Sequence, residues 1–162
     1  ANSEFYNRKR FEHKEIDLSF IGNITTSRKF FFDEISAPVE NIFGVSNEEL
    51  FDAHTRSKIG INLSINDNDP QRKTQMKQRM FEIPAGGALL LTEHHDCIQE
   101  FFEIDKEIVT FKTVDEFNKK VEFLLKNIKV VEKIAENGYR RFMKDHDSKI
   151  RLQEVIREIE KC

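Results

Sequence analysis

The sequence predicts an α/β domain in which a mainly parallel sheet of about five strands is flanked by helices. Short apolar runs alternate along the chain with longer amphipathic segments, and this alternation is typical of strand–helix–strand units with parallel strands. The chain has 162 residues, of which 38% are hydrophobic and 34% are charged. This is the length of one ordinary domain that can bury a core.

Residues 1–15 are predicted to form a polar lead-in segment. The stretch has no sustained periodicity, and its aromatic residues are isolated. We expect Phe5, Tyr6 and Phe11 to contact a neighbouring domain.

The first strand is predicted over residues 16–23, where the apolar run IDLSFI is closed by Gly22 and Asn23. Glycine followed by asparagine is a turn signal. A helix is expected to follow and to run through Ile35, capped by one of three hydroxyl residues: Thr25, Thr26 or Ser27.

Pro38 is expected to end that helix, and residues 39–44 form a second, weaker strand. Ser46, with two glutamates shortly after it, predicts a helix that runs to about Arg56. The clearest buried strand lies at 58–65, where isoleucine and leucine alternate with small or polar residues.

The middle of the chain predicts a loop, a helix and a buried strand. Residues 66–70 (NDNDP) are acidic or turn-forming, and this indicates an exposed loop. A helix is predicted from about Lys73 to Ala85, ended by Gly86 and Gly87, and the strand ALLLT follows at 88–92.

The next region predicts a loop at 93–96, a short helix at 97–102 and a fifth strand at 107–112. Thr113 and Glu116 have the spacing of a capping box, in which each side chain bonds the backbone amide of the other residue. A further amphipathic helix is therefore expected to begin there.

Two extra helices are predicted at the C-terminal end, at about 129–144 and 147–161. The second carries an apolar stripe on one face, formed by Ile150, Val155, Ile156 and Ile159. We expect part of this stripe to be exposed, or to be buried in a contact between copies of the chain.

Composition and charge exclude several functional classes. The 26 basic and 29 acidic residues leave a net charge of −3, whereas a dedicated nucleic-acid binder shows a basic excess. No apolar run approaches the roughly 18 residues of a membrane-spanning helix, and residues 1–14 lack the pattern of a signal peptide. Cys97 and Cys162 have no zinc-site or disulfide-framework spacing. A soluble, cytoplasmic domain is expected.

The topology predicts where a ligand would bind. In open parallel sheets, ligands bind beyond the carboxyl ends of the strands. The segments expected at that edge are Gly22-Asn23, 64–70, 92–96 and Lys112.

The helix before the fourth strand carries the strongest candidate residues. Arg79 and Glu82 are three residues apart, so they share one helix face, where they can pair with each other or serve a ligand. Gly86 and Gly87 permit close backbone approach to a phosphate or ribose, although the same pair is also a common helix end.

Other motifs are absent or weak. The chain contains neither the three-glycine dinucleotide fingerprint nor a GxxxxGK[ST] phosphate loop. His94 and His95 are adjacent, but a metal site needs further ligands at suitable spacing, so a substrate-lining loop is favoured. Asp67 and Asp69 are interpreted as a solvated loop rather than a cation site.

Five segments in this order resemble the C-terminal half of GT-B-fold, group 1 glycosyltransferases, in the branch similar to spore-maturation and capsular polysaccharide transferases. They are IDLSFIGN, RSKIGINLS, RMFEIPAGGALLLTEHHD, EIVTF and NGYRRFMKDHD, and the likeness spans residues 16–146. The block from Arg79 to Thr92 is its specific part. The resemblance implies a Rossmann-like donor domain, which is half of a GT-B fold.

The resemblance also implies roles for single residues. The glutamate that matches Glu82 accepts hydrogen bonds from ribose hydroxyls, and Arg79 is a candidate for the diphosphate charge. The glycine turn at Gly86 and Gly87 is expected near the diphosphate and the sugar. The remaining expected donor contacts are Gly22, Asn23, Thr92, Glu93 and His94.

Thr74 departs from the family pattern, because many members have a glutamate eight residues before the one that matches Glu82. The usual contact to the donor sugar is therefore absent or comes from elsewhere.

The implied enzyme transfers a hexose-like sugar from a UDP- or GDP-linked donor without a metal or other cofactor. This chain would be its donor-binding half, inactive alone. The acceptor domain and catalytic base would lie upstream, with helix 147–162 crossing to that domain and the whole enzyme cytoplasmic or membrane-peripheral. The alternative is a non-catalytic α/β module that binds a nucleotide or a protein.

Overall fold

Five parallel strands form one sheet in the order β2-β1-β3-β4-β5. The computed structural model describes residues 1–64 and 76–161. The strands are β1 (Ile16–Ile21), β2 (Glu40–Ile42), β3 (Ser57–Asn62), β4 (Leu89–Glu93) and β5 (Val109–Phe111). The predicted α/β class, the parallel sheet and the number of strands are confirmed.

Helices connect the strands and cover both faces of the sheet. The α-helices of the described residues are α1 (Thr26–Glu34), α2 (Asn47–Arg56), α3 (Arg79–Ala85), α4 (Val114–Lys126), α5 (Ile128–Arg141) and α6 (Ser148–Glu160). The predicted short helix near residue 97 is a 3-10 helix at Asp96–Glu100. A π-helical turn, Phe142–His146, joins α5 to α6.

The two faces of the sheet pack against different helices. On one face, apolar side chains of β1, β3, β4 and β5 pack against α1, α4 and α5 in one continuous cluster. On the other face, α3 packs through Met80 and Ile83. Gly60 of β3 makes this approach possible, because a Cβ there would lie 2.8 Å from Ile83.

Helix α3 is shorter than predicted. It begins at Arg79 rather than near Lys73, and residues 76–78 precede it. Its first backbone bonds run from Met80 to Lys77 and from Phe81 to Gln78, which defines a tight 3-10-like start. Arg79 therefore lies at the N-terminus of the helix.

The helix caps follow the sequence closely. Ser46 and Glu49 form the complete reciprocal capping box at the start of α2. At α4, Thr113 accepts from the Glu116 amide as predicted, but the Glu116 carboxylate accepts from the amide of Lys112 rather than that of Thr113.

The lead-in segment packs on its own domain, and for Tyr6 the expected contact with a neighbouring domain is wrong. Tyr6 is 8% exposed and packs with Ala85 and Phe142, and Phe11 packs against the main core. Phe5 stays exposed and stacks on Phe51. These contacts give the segment an apolar anchor despite its polar composition.

Helix α6 projects an apolar face that the described residues leave uncovered. Leu152, Val155, Ile156 and Ile159 are all exposed. The expectation that part of this stripe is exposed is confirmed.

Candidate functional site

A cavity of about 520 Å³ opens at the carboxyl ends of β1 and β2, beside the N-terminus of α3. This is the edge at which the topology predicts ligand binding. Its lining combines basic, acidic and apolar side chains: Ile21, Gly22, Arg28, Ile42, Phe43, Gly44, Val45, Leu50, Lys77, Gln78, Arg79 and Glu82.

Two arginines line this cavity. The guanidinium carbons of Arg79 and Arg28 lie 4.9 and 5.4 Å from the centre of the same ring, that of Phe20. Arg28 donates to the carbonyls of Asn23 and Leu63, at 2.7 and 3.2 Å. Both arginines line the cavity, and the charge of Arg28 lowers the pKa of Arg79, so the two cations repel each other and an anion near both is favoured.

Arg79 has unused donors. Its buried Nη1 atom makes no hydrogen bond to any residue of the described ranges, and neither does Nε of Arg28. Burial, followed by the charge of Arg28, lowers the pKa of Arg79 to about 10. Arg79 therefore remains a cation at neutral pH and can donate to an anion.

Gly22 makes room for this arginine. A Cβ at Gly22 would lie 2.5 Å from Nη2 of Arg79, and its φ of +151° is one that side chains with a Cβ rarely adopt. The amide of Gly22 donates to the carbonyl of Ile42 at 2.9 Å, which joins the ends of β1 and β2. The structure thus brings together two of the predicted site residues, Gly22 and Arg79.

Glu82 lies one turn further along α3, with a side chain only 13% exposed. Its Oε1 accepts from Nε2 of Gln78 at 2.9 Å. Burial raises the pKa of the Glu82 carboxyl above its usual range, while the charge of Arg79 opposes that rise. Within the described chain, Arg79 and Glu82 line one cavity without forming the ion pair that their spacing permits.

Two buried polar residues adjoin Glu82 and were not predicted. Nε2 of His54 lies 3.8 Å from Oε2 of Glu82, and the His54 side chain is 1% exposed. Neither ring nitrogen of His54, nor the hydroxyl of Tyr6, has a hydrogen-bond partner among the described residues. Burial, with the charges of Arg79 and Lys14, lowers the pKa of His54 to about 3, so the ring is neutral.

Part of the cavity lining is apolar. Phe43, Val45 and Leu50 form this part, and Phe43 is 62% exposed. Gly44 turns the chain between the first two with a φ of +73°. A flat aromatic surface in a cavity that also holds two cations and a carboxylate suits a ligand with a planar ring at one end.

The expectation that Gly86 and Gly87 offer exposed amides to a phosphate is wrong. Gly87 donates to the carbonyl of Pro84 at 2.8 Å, and Ala88 donates to that of Ile83 at 3.2 Å. These two bonds define a Schellman helix end, with Gly87 left-handed at φ +70°. Both glycines are buried before β4, at the amino edge of the sheet and opposite to the cavity.

The remaining predicted contacts lie at the carboxyl edge but not in the cavity lining. Thr92 is buried and accepts from Asn62 at 3.0 Å. Glu93 accepts from the hydroxyl of Ser64 at 3.1 Å, and His94 is half-buried beside it. Asn23 is exposed next to Gly22 and contributes its carbonyl to Arg28. Their part in a site stays a prediction.

Metal and membrane features can be addressed only for the part of the chain that is described. There, no three His, Cys, Asp or Glu side chains gather in a way that could hold a metal ion. No helix of residues 1–64 and 76–161 is long and apolar enough to cross a membrane. The interpretations of Asp67 and Asp69, and of Thr74, fall on residues outside the described ranges.

Sequence comparison identifies the family. A family model described as "Glycosyl transferase-like" matches residues 6–157. The chain therefore belongs to this glycosyltransferase family, and the predicted family relationship is confirmed. No curated protein sequence matches the chain significantly.

Solved structures of glycosyltransferases share the fold. The C-terminal domain of LpcC, a group 1 glycosyltransferase of Francisella tularensis, matches with a TM-score of 0.68 at 16% identity, over 91% of this chain and 99% of that one. HepE of Anabaena, solved with UDP-glucose, matches with a TM-score of 0.65 at 9% identity, over 97% of this chain and 48% of that one. A glycosyltransferase of Rickettsia africae matches with a TM-score of 0.67 at 12% identity, over 93% and 41%. The chain thus corresponds to one whole C-terminal domain, and to under half of the two longer proteins.

Proposed function

We propose that the cavity binds the nucleoside diphosphate part of a UDP- or GDP-linked sugar, and that the chain is the donor-binding domain of a glycosyltransferase. The observation that carries this proposal is that Arg79 and Arg28 line one cavity with Glu82, and that each arginine has a buried nitrogen without a hydrogen-bond partner among the described residues. The membership of the family and the UDP-glucose complex of HepE, which has the same fold, support it.

The parts of the ligand fit the parts of the cavity. The diphosphate would lie at Arg79 and Arg28, where guanidinium groups bind phosphate oxygens in a bidentate manner. The ribose would lie at Glu82, whose carboxylate accepts from hydroxyl groups. The base would stack on Phe43, since base–aromatic stacking tolerates any base.

This arrangement also serves glycosyl transfer. When the glycosidic bond of the donor breaks, negative charge develops on the leaving diphosphate, and fixed cations stabilise that charge in the transition state. Arg79 and Arg28 would supply these cations from the protein itself, so we propose transfer that needs no metal ion. The same turnover with and without a chelator in the full-length enzyme would support this.

The acceptor and the catalytic base belong to the proposal about the whole protein. Because the chain spans less than half of HepE, we propose that a second domain binds the acceptor, for example a growing polysaccharide, and supplies the base. Helix α6, with its exposed apolar face, would dock on that domain. The isolated chain would then bind donor but show little turnover.

Calorimetric titration of the chain with UDP, GDP and their sugars tests the donor site. We expect saturable binding of one nucleotide series, severely weakened in Glu82→Ala and unchanged in Glu154→Ala, a matched change on the exposed face of α6. Equal affinity in the wild type and in Glu82→Ala would contradict the proposal. Binding without sugar transfer by the full-length protein would favour a non-catalytic nucleotide-binding module.

A further inference from the structure

The imidazole of His54 occupies an unusual position behind Glu82. Its side chain is 1% exposed, and its Nε2 atom faces Oε2 of Glu82 at 3.8 Å, just beyond hydrogen-bond distance. Neither of its nitrogens has a partner within the described residues. His54 contributes no atom to the cavity lining, so it does not itself contact a ligand there.

A buried polar group without a partner destabilises a fold, whereas an apolar side chain of similar size at the same place does not. Such groups in native proteins call for an explanation, and they concentrate at functional sites. The Nε2 atom of His54 faces Oε2 of Glu82, the inner oxygen of that carboxylate, at 3.8 Å.

Two further contacts fix His54 against α3. A Cβ at Gly86 would lie 2.8 Å from the backbone carbon of His54, so only glycine allows α2 and α3 to approach this closely. The ammonium of Lys14 then joins the two helices, donating to the carbonyls of Thr55 at 2.6 Å and Gly86 at 3.0 Å. Gly86 thus places the imidazole beside Glu82 rather than binding phosphate.

We propose that His54 is a positioning residue, which donates from Nε2 to the inner oxygen of Glu82 when a nucleotide binds and so orients the outer oxygen toward the ribose. This inference rests on the proposed function. Gln78 donates to the outer oxygen of Glu82 at 2.9 Å, at the place that a ribose hydroxyl would take. Ligand binding replaces Gln78 and draws Glu82 onto His54.

Three substitutions separate positioning from a structural role. His54→Gln carries its amide nitrogen near the place of Nε2, His54→Asn carries it near that of Nδ1, and His54→Phe has no donor. We expect nucleotide affinity to fall roughly 10-fold in the Phe and Asn variants, the loss of one hydrogen bond to a charged group, and to recover in the Gln variant. We expect His54→Phe to unfold at a temperature at least as high as the wild type.

The outcomes distinguish this inference from the proposed function. If the wild type binds nucleotide and Glu82→Ala does not, while His54→Phe binds as tightly as the wild type, the positioning role is wrong and the donor site stands. A loss of affinity that tracks a loss of thermal stability in all three variants would also overturn it.

A spectroscopic measurement decides the point even where no nucleotide binds. The ¹⁵N spectrum of the imidazoles, assigned by the signal lost in His54→Phe, reports which ring nitrogen carries the proton. We expect the Nε2–H tautomer, with the proton directed at Glu82. An Nδ1–H tautomer would overturn the inference whatever the affinity for nucleotides.

Discussion

Lys14 and Arg79 are both shielded from solvent, but their side chains differ in their hydrogen-bond partners. Lys14, at the amino edge of the sheet, is 4% exposed and donates to two backbone carbonyls, those of Thr55 and Gly86. Arg79, at the carboxyl edge, makes no hydrogen bond to a described residue through its buried Nη1. It lines the same cavity as a second arginine, Arg28.

We interpret Lys14 as a residue that stabilises the fold, and we propose that Arg79 binds a ligand. Lys14 binds the carbonyls where α2 and α3 end, and the dipole of a helix favours a cation there. Arg79 lies where α3 begins, and an isolated cation is disfavoured at that end. A bound anion, which is the diphosphate in the proposed function, would make the position of Arg79 favourable.

The largest expected effect is on stability, from removal of the satisfied charge. Lys14→Met leaves two buried carbonyls without a donor, and we expect the free energy of unfolding to fall by about 4 kcal/mol. Urea denaturation measures this change. Lys149→Met, which removes an exposed pair with Glu4, is the control and should leave the midpoint nearly unchanged; similar losses in both variants would erase the distinction between the two regions.

The next largest effect is on nucleotide binding, from the replacement of Arg79. We expect Arg79→Met to weaken nucleotide binding roughly 10- to 100-fold, the loss of a charge-assisted contact to phosphate. Its free energy of unfolding should stay the same or rise, because the buried Nη1 atom of Arg79 has no hydrogen-bond partner among the described residues. Calorimetry and urea denaturation together test this, with Arg140→Met on the exposed surface of α5 as the control. A lower free energy of unfolding in Arg79→Met would show that Arg79, like Lys14, stabilises the fold.

A further test of the comparison is the pH dependence of stability that His54 causes. Its pKa is about 3 in the fold, so the unfolded state binds more protons below about pH 6.5, and stability falls as the pH falls. Between pH 6.5 and 5, we expect the wild type to lose about 2 kcal/mol more than His54→Phe. Urea denaturation at both values measures the difference. The titratable groups that face His54 are the same in the wild type and in His54→Phe; they are Tyr6, Lys14, Arg79 and Glu82.

The smallest effect concerns the apolar part of the cavity. Phe43→Ala should weaken nucleotide binding by about fivefold, since stacking on a base contributes about 1 kcal/mol or more. The free energy of unfolding of Phe43→Ala should equal that of the wild type, because Phe43 is 62% exposed. Phe30→Ala removes a ring that is 66% exposed on α1 outside the cavity and should bind as the wild type does. Equal affinities in Phe43→Ala and Phe30→Ala would show that the base does not stack on Phe43.

The sequence was sufficient for the fold because its signals are local. The alternating isoleucines of β3 and the Ser46–Glu49 capping box depend only on neighbouring residues. Gly22 could be chosen because the carboxyl edge of a parallel sheet is a defined place. Arg79 and Glu82 were chosen from their shared helix face and from the resemblance to the glycosyltransferase family.

The rest of the site depends on tertiary contacts that leave no local pattern. Arg28 lies in an ordinary helix, and His54 is a single histidine, so nothing nearby in the sequence connects either of them to Arg79 or Glu82. The prediction for Gly86 and Gly87 was wrong for another reason. A glycine pair that ends a helix and one that binds phosphate are alike in sequence, and only the bonds to Pro84 and Ile83 distinguish them.

The lengths of the strands have a consequence for aggregation. The two edge strands, β2 and β5, have three residues each, whereas the three inner strands have five or six. A short edge is a poor template for adding a strand from another molecule. Copies of this chain at high concentration should therefore associate through the side chains of α6 before they associate through backbone hydrogen bonds, and such association would be reversible rather than fibrous.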